Sequence, residues 1–154
     1  MGSRIALQFT LDYPRLVERL VLTSSALGPT KDRRNIFPRN IQEEIGFDTP
    51  DFDIGKFNFY EVWYSFANPV PAQVDEVLER ILRTPIHVKS SIAKNFSKVN
   101  LRPRLRQIQV PTLVMVGDKD VICPIGEATY LAQLLPKARL EVIPGAGHCL
   151  PLEK

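Results

Sequence analysis

The sequence predicts an α/β fold, with parallel strands flanked by helices and a helical block inserted between two of the strands. Two observations carry this expectation. First, three short segments rich in β-branched residues read as buried strands: Glu18 to Ser24, Pro111 to Gly117 and Arg139 to Pro144. The first two are near-continuous apolar runs, the pattern of parallel strands covered on both faces. Second, Glu127 to Leu135 carries Ala128, Leu131, Leu134 and Leu135 on one helical stripe between the second and third strands. That is a strand–helix–strand unit.

In chain order, the first element is a helix in which Ile5, Ala6, Phe9 and Tyr13 recur at helical spacing and Pro14 marks the end. The first strand follows. From residue 26 to 100 no strand-like run occurs. Gly28-Pro29, Phe37-Pro38 and Thr49-Pro50 punctuate the start, and three helical patterns follow. One runs from about Asn58 to Phe66 with Tyr60, Trp63 and Tyr64. A second runs from Ala72 to Leu82, where Val74, Val77, Leu78, Ile81 and Leu82 form an apolar face. A third follows Thr84-Pro85, where threonine can cap and proline suits the first turn. Because the sheet pattern resumes afterwards, residues 29–99 are expected to form a helical cap or lid inserted into a core made of residues 1–28 and 100–154.

Composition narrows the class. The 154 residues are 44% hydrophobic and 24% charged, which excludes disordered, collagen-like and fibrous readings. The formal charge of +3 is small, and the basic clusters Lys31, Arg33, Arg34 and Arg102, Arg104, Arg106 are short and scattered, so no nucleic-acid partner is expected. Two cysteines, Cys123 and Cys149, form no disulfide framework and fit a reduced setting. The first residues lack the apolar run of a signal peptide, and charged residues interrupt every stretch that approaches the roughly 18 apolar residues of a span. A cytoplasmic protein with no membrane partner is expected. No Gly-rich phosphate loop follows a strand, so a nucleotide-binding domain is disfavoured. Only His148, Cys149 and Cys123 are near candidates for a metal, too few for zinc. Neither cofactor nor metal is expected.

Ligands of parallel sheets gather at the carboxyl ends of the strands. Those ends are Thr23-Ser24-Ser25, Gly117-Asp118-Lys119-Asp120 and the loop Pro144-Gly145-Ala146-Gly147-His148. Of the two histidines, His87 lies within a helical pattern and reads as an ordinary surface residue. His148 follows a glycine-flanked turn at a strand end. Asp120, 28 residues earlier, is placed to hold its imidazole in one tautomer and to stabilise the imidazolium. Asp118 competes for that role, with capping of a turn as its alternative.

These residues together resemble the α/β-hydrolase family. Met1 to Gln8, then Asp12-Tyr13-Pro14 and Val17 to Leu22, is similar to that family's stretch after the nucleophile, where a helix ends in Tyr-Pro and leads into the sixth strand. Val110 to Asp120 with Pro124 is similar to its strand-plus-acid segment, where the acid falls three residues after the glycine, hence Asp120 rather than Asp118. Ile143 to His148 with Glu153 is similar to its histidine loop. The resemblance implies that His148 is a general base, Asp120 its orienter and the Met1 backbone N–H an oxyanion-hole donor. It also implies a small ester-like substrate, a carboxylic ester, thioester or lactone, attacked without a cofactor.

The family's Gly-x-Ser-x-Gly elbow is absent from the sequence. Alignment would put the nucleophile just before Met1, and Ser3, which has no glycine two residues downstream, reads as a capping or packing residue. The sequence is therefore expected to be a carboxyl-terminal portion of such an enzyme, inactive alone, and to self-associate through an exposed sheet edge. Two alternatives stay open: a relative with an aspartate nucleophile, of the epoxide hydrolase or dehalogenase type, and a non-catalytic ligand-binding domain on the same fold.

Overall fold

The computed structural model describes residues 1–25, 27, 36–47, 49–96 and 98–154. The Gly28-Pro29 punctuation, the Lys31, Arg33, Arg34 cluster and the expected boundary between residues 28 and 29 lie outside the described residues. Helix α1 spans Gly2–Asp12 and stops where Pro14 excludes the helical conformation for Tyr13, which adopts φ −130° and ψ 58° before a 3-10 turn at Pro14–Leu16. Strand β1 (Leu20–Thr23) follows. Helices α2 (Arg39–Ile45), α3 (Ile54–Trp63), α4 (Pro71–Arg83) and α5 (Ile86–Phe96) and a 3-10 segment at Arg102–Gln107 come next. Strand β2 (Thr112–Gly117), helix α6 (Ile125–Leu134), strand β3 (Ala138–Ile143) and helix α7 (Leu150–Glu153) complete the order.

The three strands form one parallel sheet in the order β1-β2-β3, with Leu22 opposite Val114 and Val114 opposite Leu140. The α/β class and the strand–helix–strand unit are as the sequence predicts. The main core joins Leu20 and Leu22 of β1 with Val114 and Val116 of β2. It adds Leu7 of α1, Leu105 of the 3-10 segment and Ile108 just after it, and Ala128 and Leu131 of α6. A second cluster joins the inserted helices α3 and α4: Val62, Phe66 and Val74 are buried, with Trp63, Val77, Leu78 and Ile81 packed on them. Around buried Phe37, the rings of Phe47, Phe57 and Tyr64 lie 5.9–6.0 Å away. Gly46 ends α2 at φ 75°, where a Cβ would stand 2.8 Å from the Asp51 carbonyl oxygen.

Three local expectations need correction, and one helix was not expected. The strands are not all covered on both faces. Val21 is 59% exposed and no residue of β3 is fully buried, while β2, the central strand, is well covered. The reason is that α1, α6 and the 3-10 segment all contribute to the cluster on the Leu22 and Val114 side. Of the residues Ile5, Ala6, Phe9 and Tyr13 that mark α1, only Ala6 packs against the core; Ile5, Phe9 and Tyr13 are exposed, and Leu7 and Thr10 are the residues the helix buries. Thr84 does not cap α5. It follows α4 and turns its hydroxyl back to the Arg80 carbonyl, while the Pro85 carbonyl receives the N–H groups of Val88 and Lys89. Helix α2 has no counterpart in the sequence reading.

Buried area sets the cost of truncation at these sites. Leu22→Ala is expected to lower unfolding free energy by about 2–5 kcal/mol. Leu82→Ala, at a position 59% exposed on α4, is expected to change it by about 0.5 kcal/mol or less. Urea midpoints of the two variants check this.

Candidate functional site

Parallel pairing puts the carboxyl ends of β1, β2 and β3 on one edge of the sheet, and the polar groups singled out in the sequence converge there. After β2 the chain turns through Asp118 and Lys119, with the Asp120 N–H donating to the Gly117 carbonyl. Asp120 is buried although it is a carboxylate, and its partners explain why that is tolerated. Its Oδ1 accepts the N–H of Ile122 at 2.9 Å and of Cys123 at 2.7 Å. The imidazole Nδ1 of His148 lies 3.0 Å from Oδ2 and 3.2 Å from Oδ1. A buried charge without such partners would be strongly destabilised. A carboxylate only accepts, so this contact assigns the proton of a neutral imidazole to Nδ1 and leaves the lone pair on Nε2. The Asp120 side chain has no exposed surface, and that of His148 is 30% exposed.

Asp118 does other work. Its Oδ1 accepts the Gly145 N–H at 2.8 Å, so it fastens the turn after β3 rather than the imidazole. That turn needs Gly145 at φ 65°. The loop then runs hard against the end of β2: the Lys119 N–H donates to the Ala146 carbonyl, and a Cβ on Gly117 would sit 2.0 Å from that same oxygen. Gly117, which the sequence marks as a strand end and as the glycine three residues before Asp120, has a steric role that the sequence does not disclose.

Beyond His148 the loop meets the inserted helices. The Ser65 carbonyl, just past α3, accepts the N–H groups of His148 at 2.7 Å and Cys149 at 3.1 Å. Gly147 fits beneath residues 65–67, where a Cβ would stand 2.7 Å from the Ser65 oxygen and the Ala67 nitrogen. Nothing in the sequence pattern marks Ser65, because its contribution is a main-chain carbonyl.

The other candidates take these positions. Met1 precedes α1 and is exposed. The amino end of α1 reaches the same edge of the sheet, since the Ser3 hydroxyl donates to the Thr23 carbonyl at 3.2 Å, a tether to β1. Beside it Ser24 adopts φ 47°, a conformation uncommon for serine. Its Oγ is the one buried side-chain polar atom without a hydrogen-bond partner among the described residues. His87 is exposed on α5 and makes no hydrogen bond to Asp120 or His148. Among the described residues, no group of three His, Cys, Asp or Glu side chains is arranged to hold a metal, and no helix is long and apolar enough to cross a membrane.

A family model described as alpha/beta hydrolase fold matches residues 1–154. The chain is 28% identical to the pimeloyl-[acyl-carrier protein] methyl ester esterase of Nitrosomonas europaea, over 96% of this chain and 61% of the relative. It is also 28% identical to a 2-hydroxy-6-oxononadienedioate/2-hydroxy-6-oxononatrienedioate hydrolase of Comamonas testosteroni, over 96% of this chain and 54% of that protein. The chain therefore spans little more than half the length of these relatives. Among solved structures, an N-acyl homoserine lactone degrading enzyme superposes with a TM-score of 0.73 at 28% identity, covering 99% of this chain and 60% of its own.

The thiol next to His148 reports on the packing of this site. Burial, then the charges of Glu153 and Asp120, push the Cys149 pKa up from 9.0 to about 11. A raised thiol pKa favours the protonated form, so at pH 8 the native chain holds about a hundredfold less thiolate at Cys149 than the denatured chain. Iodoacetamide labelling of the Cys149 peptide, followed by mass spectrometry, is expected to be slower in the native chain by at least that factor and to accelerate toward pH 11.

Proposed function

Since the chain belongs to the alpha/beta hydrolase fold family, we propose that His148 and Asp120 are the base and the orienting carboxylate of a hydrolase acting on a carboxylic ester, thioester or lactone. The observation that carries this reading is the 3.0 Å contact between Nδ1 and a carboxylate already fixed by two backbone N–H groups, at the carboxyl edge of a parallel sheet. With Nδ1 engaged, Nε2 is free to take a proton from an attacking hydroxyl and to return it to the leaving group. Asp120 stabilises the imidazolium in between.

On this reading the Met1 N–H, at the amino end of α1, is a donor to the oxyanion of the tetrahedral intermediate. The inserted helices α2 to α5 serve as the cap under which the acyl group binds. No serine of the 154 residues stands in a Gly-x-Ser-x-Gly frame, so the nucleophile is assigned to residues preceding Met1 in a longer polypeptide, and the 154 residues alone are expected to be inert toward esters. The ester and lactone substrates named for two of the similar proteins support the choice of acyl chemistry.

The test is steady-state hydrolysis of p-nitrophenyl butyrate by a polypeptide extended upstream to the length of these relatives. His148→Ala is expected to lower kcat by about 10⁴ to 10⁶ and Asp120→Asn by about 10⁴. His87→Ala is expected to stay within about twofold of the parent. Near-full turnover by the His148→Ala enzyme would remove the base from the mechanism.

A further inference from the structure

Glu153 lies in α7, beyond the histidine loop, and its two carboxylate oxygens face two different parts of the chain. Oε1 accepts the Gly147 N–H at 2.9 Å, and Oε2 accepts the Ala67 N–H at 2.9 Å. One of these amides immediately precedes His148. The other follows the turn after α3, in the inserted helices. We propose that Glu153 is a positioning residue that bridges the inserted helices to the histidine loop, so that the orientation of His148 depends on how those helices are seated on the sheet.

Several independent contacts converge on the same seam. The Ser65 carbonyl takes the N–H groups of His148 and Cys149, and the Gln73 side chain of α4 donates to the Leu152 carbonyl at 3.3 Å. Cys149 packs on the apolar cluster of Val62, Phe66 and Val74. Gly147 leaves no room for a side chain between the loop and residues 65–67. The bridge is specific to a carboxylate. The two amides reach different oxygens of the side chain, and a carboxamide replaces one of those oxygens with an NH₂ group, which opposes the donor there. Shifting the inserted helices would strip the His148 amide of its acceptor and release one arm of Glu153 together. Opening of the cap and misalignment of the imidazole against Asp120 are then a single event. The consequence for turnover rests on the function proposed above, whereas the bridge itself does not.

The bridge is read by NMR on the labelled chain without any assay of turnover. In the wild-type protein, scalar couplings across hydrogen bonds are expected from the amide nitrogens of both Gly147 and Ala67 to one side-chain carboxylate carbon, that of Glu153. In Glu153→Gln, amide exchange at Gly147 and Ala67 is expected to rise about tenfold or more, the equivalent of one lost hydrogen bond. The His148 ring nitrogens are expected to move from a fixed Nδ1–H tautomer toward a mixture, while the amides of Val114 and Leu131 in the main core keep their shifts. Absence of either coupling overturns the bridge, even where the variant fails to fold. An unchanged His148 tautomer in folded Glu153→Gln overturns the positioning role. Either result leaves the turnover test of His148 and Asp120 to be decided on its own.

Discussion

The rest of the site depends on one carboxylate that is buried and yet fully engaged. Asp120 is stable in its position because Ile122 and Cys123 turn their amides onto Oδ1 while the imidazole occupies the remaining side. Remove the turn and the charge has no compensation; remove the charge and nothing fixes which ring nitrogen holds the proton. Local backbone geometry after β2 and the chemistry at β3 are therefore one problem. The parallel pairing of those strands solves it by delivering both loops to the same edge of the sheet.

Around that pair the molecule divides its apolar material in two. The larger cluster binds helices to the sheet and fixes the strand ends. The smaller one binds α3 and α4 to each other and to Cys149. The histidine loop lies between the two clusters, and its contacts to the inserted helices are main-chain hydrogen bonds and the Glu153 carboxylate. Contacts of that kind are directional and few, so such a seam fixes orientation tightly while contributing modestly to stability.

The sequence discloses the sheet and the pair well, because both are written in side chains. Apolar runs mark β1 and β2, a helical stripe marks α6, and an aspartate and a histidine just past strand ends mark the pair that the structure brings together. What it conceals is whatever depends on the backbone or on which side of an element is covered. The Ile5, Phe9, Tyr13 stripe has the right period for α1, but its exposed side is invisible to a period. Val21 sits within an apolar run and yet faces away from the core. Ser65 contributes only a carbonyl, and α2 is short, opens after Pro38 and closes on Gly46, so its seven residues give little periodicity to read. Glu153 is visible as part of a resemblance, but its two amide partners, Ala67 and Gly147, are separated from each other by about half of the chain.

The contact between Gly117 and the Ala146 carbonyl bears on how such a protein can change over generations. With the end of β2 acting as a template against which the following loop is moulded, neither partner can drift in length or bulk without the other. A larger residue at Gly117 would therefore push on the Ala146 carbonyl and displace the backbone that carries His148, two residues further on.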